Sequence, residues 1–208
     1  MDAWIYRLDL IGTAVFAMAA VLSVSGKKID LFGVLVVAMV SAIGGGTLRD
    51  LILDAHPVFW VGNPVYLYIA IAAALVTFYA AHVVKRIPTA VFLVGDAMGL
   101  AVFTVIGANK ALNLGAPAVV IVMMGIMTGV AGGLMRDVMC AEIPLVLRKE
   151  IYATASLLGG SAFVALNYLQ AGHLLMVAVP IALVFVTRLL ALYWRVSLPV
   201  FEHDEGKR

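Results

Sequence analysis

The chain has 208 residues, of which 64% are hydrophobic and only 12% are charged. Its mean hydropathy is +1.08. Soluble domains carry about 25% charged residues, so this composition excludes a soluble globular protein and indicates an integral membrane protein. The formal net charge of +2 does not suggest a nucleic-acid partner, and the single cysteine, Cys140, excludes an intrachain disulfide.

Seven apolar runs are long enough to cross a bilayer, and each predicts a membrane helix. We number them spans 1 to 7, and they cover approximately residues 8–25, 31–54, 65–84, 89–108, 118–141, 150–169 and 173–195. Pro57 and Pro144 stop spans 2 and 5, because proline removes a helix hydrogen bond. The sequence therefore predicts an all-α membrane protein with a single transmembrane domain over residues 1–200 and a polar cytoplasmic tail over 201–208.

Basic residues in short loops predict the orientation, because lysine and arginine collect on the cytoplasmic side of a membrane protein. The loops after spans 1, 3 and 5 and the C-terminal end hold nine of them: Lys27, Lys28, Lys85, Arg86, Arg148, Lys149, Arg195, Lys207 and Arg208. The opposite side holds two, Arg7 and Lys110. We therefore expect the N-terminus outside and the C-terminus in the cytoplasm.

The sequence contains an internal repeat with an offset of 87 residues. This offset relates the following pairs: Asp9 to Asp96, Gly45-Gly46 to Gly132-Gly133, Arg49 to Arg136, Asp50 to Asp137, and Pro57 to Pro144. Repeat one covers about 8–86, repeat two about 95–172, and span 7 lies outside both. Each copy contains three spans, so the second must enter the membrane from the opposite side, as in the inverted repeats of many transporters.

Glycines occupy matching places in spans 2 and 5. Span 2 contains Gly44, Gly45 and Gly46, and span 5 contains Gly132 and Gly133. Glycine weakens a helix by roughly 1 kcal/mol relative to alanine, which favours glycine-kinked helices 2 and 5 that shape a pore. Small residues also let membrane helices approach closely, and this second interpretation stays open.

An Arg-Asp pair follows each glycine group. Such charges are costly inside a bilayer unless they pair or face water. Because Arg49 and Asp50 are adjacent, as are Arg136 and Asp137, we expect the two side chains of each pair to point to different sides of the helix. The expected partners lie on other helices, with Asp9 and Asp96 as candidates. A structural salt bridge and the lining of an ion path are both compatible with these six residues.

Hydroxyl side chains lie near the glycines. Ser41 and Thr128 correspond at the repeat offset and precede the glycines by one turn, and Thr47 follows the first group. These hydroxyls are candidates for replacing water around a cation in a pore, although a helical hydroxyl can instead bond to the carbonyl four residues earlier. Arg188 in span 7 is expected to extend to the cytoplasmic surface.

The glycine motifs resemble a known family. Gly44 to Asp50, Gly132 to Asp137 and Pro57 to Trp60 are similar to motifs of the prokaryotic trimeric intracellular cation channels. The resemblance implies a homotrimer in the bacterial inner membrane, with one pore per protomer walled by helices 2 and 5 together with helices 1 and 4. It implies passage of monovalent cations, potassium or sodium and chiefly potassium. We expect no cofactor and no soluble protein partner. Ala131 departs from the family pattern, because it stands where the first motif has Gly44.

Two functions therefore compete. The first is a monovalent cation channel, which the resemblance favours. The second is a carrier of a small zwitterion, because some bacterial relatives are described as glycine transporters, and arginine and aspartate suit the two charges of glycine. The sequence contains no nucleophile–base pattern, phosphate loop or spaced metal ligands, so we do not expect an enzyme or a metal site.

Overall fold

The computed structural model describes residues 3–83, 88–148 and 151–194. Within these ranges the chain is all-helical and has no β-strand, which confirms the predicted fold class at that level. Lys85, Arg86 and Lys149, which contribute to the predicted orientation, lie outside the described residues, as does the tail after residue 194.

Each predicted span coincides with a helix. The helices are α1 Ala3–Ser23, α2 Leu31–Ile52, α3 Phe59–Gly62, α4 Val65–Val83, α5 Thr89–Asn113, α6 Ala118–Met139, α7 Ala153–Tyr168 and α8 His173–Trp194. The fourth span is longer than expected, because α5 continues past Ala108 to Asn113. Two short elements were not predicted from the sequence, namely α3 and a 3-10 turn over Leu145–Leu147.

Helices α2 and α6 end in the same way. Asp54 and Ala141, which are 87 residues apart, adopt left-handed backbone angles with φ of 51° and 54°. In each copy the backbone N–H of the following residue donates to a carbonyl of the helix. Ala55 donates to the Asp50 carbonyl at 2.8 Å, and Glu142 donates to the Asp137 carbonyl at 2.9 Å. Such bonds satisfy carbonyls that would otherwise have no partner at a helix end. The repeat is therefore present in the backbone as well as in the sequence.

Five helices are long and apolar enough to cross a membrane by length and composition among the described residues: Trp4–Ser23, Leu31–Ile52, Thr89–Asn113, Ala118–Met139 and His173–Trp194. The apolar part of α4 is shorter, over Val65–Ala81. Helix α7 has 16 residues, or about 24 Å at 1.5 Å per residue, which is less than a typical hydrocarbon core. The count of seven spans therefore stays a prediction.

Helix α5 is the centre of the bundle. It packs against α1, α6, α7 and α8, and its buried residues extend from Asp96 to Ala111. The α1–α5 interface contains Phe16 and Phe103, another pair 87 residues apart, whose rings meet edge to face at 5.4 Å. The first helix of repeat one, α1, therefore lies beside the first helix of repeat two, α5.

The glycines lie where α2 crosses α6. A Cβ added to Gly45 would overlap the carbonyl oxygen of Thr128, and one added to Gly132 would overlap that of Ser41. The two contacts exchange under the 87-residue offset, as expected for two helices related by a two-fold rotation. Both helices are continuous through the glycines, so the contacts support close approach, while the predicted kinks are not confirmed.

We predict that Gly45→Ala and Gly132→Ala each lower the melting temperature of the purified protein. Alanine favours the helix by about 1 kcal/mol, but an added methyl against a backbone carbonyl costs about 1–3 kcal/mol, because the carbonyl cannot rotate away as a side chain does. The overlap therefore outweighs the gain in helix propensity.

Gly95→Ala is the matched control, because its added Cβ would lie 3.4 Å from the Cβ of Ala19, an ordinary contact. This variant should melt at or slightly above the wild-type temperature. If Gly45→Ala and Gly132→Ala also melted at or above the wild-type temperature, the α2–α6 crossing would have room for an added methyl group. That result would favour the interpretation that the glycines kink the helices.

Candidate functional site

Charged side chains form two clusters at opposite ends of the bundle, and all of them are buried except the half-buried Lys110. The first cluster consists of Asp9, Arg49, Asp50, Tyr66 and Lys110, and the second of Asp96, Arg136, Asp137, Tyr152 and Arg188. Lys110 follows Asp96 on α5 by 14 residues, so the clusters are about 21 Å apart along that helix. Each cluster contains two carboxylates and two cationic side chains.

Asp50 is the centre of the first cluster and is fully buried. Its Oδ1 accepts from Arg49 Nε at 2.8 Å and lies 2.7 Å from Arg49 Nη2 and 2.8 Å from Lys110 Nζ. Its Oδ2 accepts from the backbone N–H of Phe59 at 2.9 Å. A buried carboxylate with this many donors is well compensated for the loss of water.

Asp9 occupies a different position in the first cluster. Its Oδ2 accepts a hydrogen bond of 2.9 Å from the Tyr66 hydroxyl, and no ion pair to Asp9 occurs among the described residues. The ring of Phe59 packs under the guanidinium of Arg49, with 5.5 Å between the Arg49 Cζ and the ring centroid. Asp9 is thus the carboxylate of this cluster that is held by a neutral donor.

The second cluster repeats the first with different partners. Asp137 accepts from Arg136 Nε at 2.9 Å and from the backbone N–H of Leu145 at 2.9 Å. Arg136 also donates from Nη1 to Asp96 Oδ1 at 2.7 Å. The ring of Phe92 lies 4.8 Å from the Arg136 guanidinium. Here both carboxylates are bound by one arginine.

The two short elements that the sequence analysis missed complete these clusters. The first residue of α3, Phe59, and the first residue of the 3-10 turn, Leu145, supply the backbone N–H groups that bind Asp50 and Asp137. Both elements follow the matched prolines, Pro57 and Pro144. The two prolines were the sequence signal for these elements, because each proline ends its helix and a turn after it returns the chain to that helix end.

One expectation about Arg49 and Arg136 was wrong. Arg49 and Arg136 do pair with the adjacent aspartates, because the three-methylene arginine side chain is long enough to curl back to its neighbour. Arg136 also binds Asp96 of α5, which confirms the expected partner on another helix for this arginine, whereas Arg49 forms no ion pair with Asp9 or Asp96 in the described residues. Arg188 does not extend to a surface. It is fully buried, donates to the Ile151 carbonyl at 2.8 Å and lies 4.8 Å over the Tyr152 ring.

The three candidate hydroxyls behave differently. Thr47 and Thr128 donate to the carbonyls four residues earlier, at 2.7 and 2.6 Å, as helical threonines commonly do. Ser41 Oγ is buried and has no hydrogen-bond partner within the described part of the chain. Ser41 is therefore the candidate whose hydroxyl is available at the α2–α6 crossing.

A cavity opens beside the second cluster. It has a volume of about 350 Å³, and its walls include Phe92, Asp137, Glu142 and Arg148. Lys27 donates to Glu142 at 2.9 Å and to the Cys140 carbonyl at 2.8 Å, tying the end of α1 to the end of α6. The hydrogen bond and charge of Lys27 lower the pKa of the exposed Glu142 carboxyl. Among the described residues, no group of three or more acidic, histidine or cysteine side chains is suited to a metal.

We predict that Arg136→Gln and Asp96→Asn each destabilise the protein by about 3–5 kcal/mol, because each leaves a buried charge without its partner. The double variant should lose clearly less than the sum of the single losses, as expected for residues in direct contact. Chemical unfolding of the four proteins in detergent measures this coupling.

Arg49→Gln combined with Asp96→Asn is the control. These residues belong to different clusters, so their effects should add. Additive effects for Arg136 with Asp96 would show that their 2.7 Å ion pair does not contribute to stability.

Comparison with known proteins shows the same repeat. A family model described as a glycine transporter matches the chain twice, over residues 6–82 and 93–168. The second match starts 87 residues after the first, which equals the offset between the Arg-Asp pairs. Together the matches cover most of the chain.

Full-length relatives and solved structures agree with this match. The chain is 43% identical to the UPF0126 inner membrane protein YadS of Escherichia coli K12 over 98% of this chain and 99% of that protein. It is 43% identical to a UPF0126 membrane protein of Vibrio cholerae over 95% of this chain and 82% of that one.

Among solved structures, the chain is similar to the TRIC trimeric intracellular cation channel orthologue from Rhodobacter sphaeroides. The TM-score is 0.89 at 38% identity, over 94% of this chain and all of that one. A prokaryotic TRIC channel in 0.5 M KCl gives a TM-score of 0.86 at 29% identity, over 95% of this chain and all of that one. The chain belongs to the family of the UPF0126 membrane proteins and the prokaryotic trimeric intracellular cation channels.

Proposed function

We propose that the protein is a monovalent cation channel that works as a homotrimer with one ion path in each protomer. The observation that carries the proposal is the likeness to a trimeric cation channel over 94% of the chain at a TM-score of 0.89. A match of this extent includes both repeats and α8. Potassium and sodium are the proposed permeant ions.

The proposed path follows the α2–α6 crossing, with α1 and α5 completing its wall. The two charge clusters lie at its ends, and the free hydroxyl of Ser41 lies between them. Because Asp50 and Asp137 are both held by arginine, the resting path attracts cations only weakly. In this proposal the glycines at 44–46 and 132–133 let α2 and α6 bend when the path opens.

The proposed topology has seven membrane helices, with α1, α2 and α4 inverted relative to α5, α6 and α7. Helix α8 stands outside the repeat. The N-terminus lies outside the bacterial inner membrane and the C-terminus in the cytoplasm. The exchanged contacts of Gly45 with Thr128 and of Gly132 with Ser41 support the inversion, since they are the contacts that a two-fold axis in the membrane plane would produce.

A carrier for glycine is the second candidate, and the description of the matching family model favours it. The second cluster offers both an arginine for a carboxylate and an aspartate for an ammonium group. A channel and a carrier differ in how flux depends on solute concentration, so one pair of measurements distinguishes them.

We predict discrete current steps when the purified protein is placed in a planar bilayer under a potassium chloride gradient. The reversal potential should lie near the value for potassium, because the proposed path selects cations. Glycine counterflow in vesicles is the companion measurement. Saturable counterflow without current steps would contradict the channel and support the carrier.

The proposed orientation has its own test. On a Cys140→Ala background, Lys28→Cys and Arg148→Cys should resist a membrane-impermeant thiol reagent in intact cells, because both side chains are exposed on the proposed cytoplasmic side. Leu114→Cys is the matched control, since Leu114 is 53% exposed in the α5–α6 turn on the other side. Labelling at positions 28 and 148 but not at 114 would reverse the proposed orientation.

A further inference from the structure

An ion pair joins the two repeats at the proposed cytoplasmic end of the bundle. Lys27 lies in the turn between α1 and α2, and its Nζ is 2.9 Å from Oε1 of Glu142, which follows α6. The same Nζ donates to the carbonyl of Cys140, the C-cap residue of α6, at 2.8 Å. Arg148 Nη2 lies 3.3 Å from the other oxygen of Glu142. We call Lys27, Glu142 and Arg148 the charged strap.

The opposite end of the bundle has no counterpart of this strap. The positions that correspond to it under the 87-residue offset carry no charge: Ala55, Val61 and Leu114. There the repeats are joined by Lys110 and the fully buried Asp50, whose charged atoms are 2.8 Å apart. The two ends are thus tied by different ion pairs, one with a buried carboxylate and one with an exposed carboxylate.

The strap is the weaker of these two connections. The side chain of Glu142 is 50% exposed and that of Lys27 is 29% exposed. An exposed ion pair contributes little to stability, because water solvates both charges when they separate, whereas separating a buried pair leaves a charge without a partner. The strap end of the bundle therefore opens at a smaller cost than the end that holds Asp50.

The turn that carries Lys27 has room to move. A cavity of about 270 Å³ adjoins it, with Val34 and Phe78 in the wall. The cavity of about 350 Å³ beside the second cluster adjoins the turn as well, and Ser25 lines both cavities. Gly26 of this turn has a φ of 87°, and an added Cβ would meet no atom within 4 Å. The strap therefore anchors a loosely packed turn.

Release of the strap would widen the larger of the two cavities. Glu142 and Arg148 form part of its wall, together with Asp137 of the second cluster. Asp137 is only 6% exposed while the strap is in place. When the ends of α1 and α6 separate, this wall opens, and water and ions reach Asp137 from the proposed cytoplasmic side.

We propose that the charged strap is a latch that controls the cytoplasmic entrance of the path. With Lys27 bound to Glu142, the ends of α1 and α6 are held together and the entrance is narrow. Release of Lys27 lets the turn between α1 and α2 move into the adjoining cavity and widens the entrance. The control of current rests on the proposed channel function, whereas the movement of the turn does not.

Hydrogen exchange measured by mass spectrometry tests the movement without any current. The backbone N–H groups of Lys27 and Glu142 both donate to carbonyls of the preceding turn, so separation of the two helix ends speeds their exchange. Glu142→Gln and Lys27→Met should each raise the exchange rate several-fold in peptides that cover residues 24–29 and 140–143. The double variant should exchange little faster than the faster single variant, because either change alone removes the ion pair.

Lys28→Met is the matched control. Lys28 is exposed in the same turn and forms no ion pair within the described part of the chain. This variant therefore removes the same charge from the same turn but leaves the strap in place. Its exchange rates should equal those of the wild-type protein.

Planar-bilayer recordings of the same variants test the link to conduction. Glu142→Gln and Lys27→Met should raise the open probability by up to about five-fold, the range that the loss of one exposed ion pair allows. Lys28→Met should leave the open probability unchanged. A direct effect of the lysine charges on passing ions would instead change the unitary current equally in Lys27→Met and Lys28→Met, without a change in open probability.

The combined outcomes separate the latch from the channel. Unchanged exchange in Lys27→Met and Glu142→Gln would overturn the latch, and so would faster exchange in a conducting protein whose open probability stays at the wild-type value. Faster exchange in both variants, in a protein that passes no current in any form, would reject the channel and leave the movement of the turn standing.

Discussion

Burial of charge inside an apolar helix bundle is the constraint on which the rest of this structure depends. Arg49, Asp50 and Arg136 are almost inaccessible, and each lies within 2.9 Å of an opposite charge. In a medium of low dielectric an unpaired charge would cost several kcal/mol, so each helix end must bring partners to it. The turns after α2 and α6 do this by returning a backbone N–H to each aspartate.

Each repeat pairs its buried charges, but the two clusters use different partners. In the first cluster a second cation, Lys110 of α5, binds the carboxylate of Asp50. The residue of repeat one that corresponds to Lys110 is Ser23, which has no charge. In the second cluster the additional cation is Arg188 of α8, the helix outside the repeat. The symmetric α2–α6 crossing therefore joins two ends with different chemistry.

Much of this arrangement could be predicted, because it depends on local spacing. The 87-residue offset identified Gly45 with Gly132 and Asp9 with Asp96 as matching positions, and the structure places each pair in corresponding contacts or clusters. The pairing of Arg49 with Asp50 was missed, because helical geometry separates adjacent Cβ atoms while a long arginine side chain bridges them. The burial of Arg188 was missed because the position of α8 against α7 leaves no local trace.

The sequence by itself determined the membrane setting, the helices and the repeat, because hydropathy, proline and glycine act over a few turns of chain. It also determined which charges lie inside the helices. Only the tertiary structure decided which partner each charge takes and that Gly45 and Gly132 meet backbone carbonyls. These outcomes depend on distances of a few ångströms between helices that are far apart in the chain, and no pattern along one helix encodes such distances.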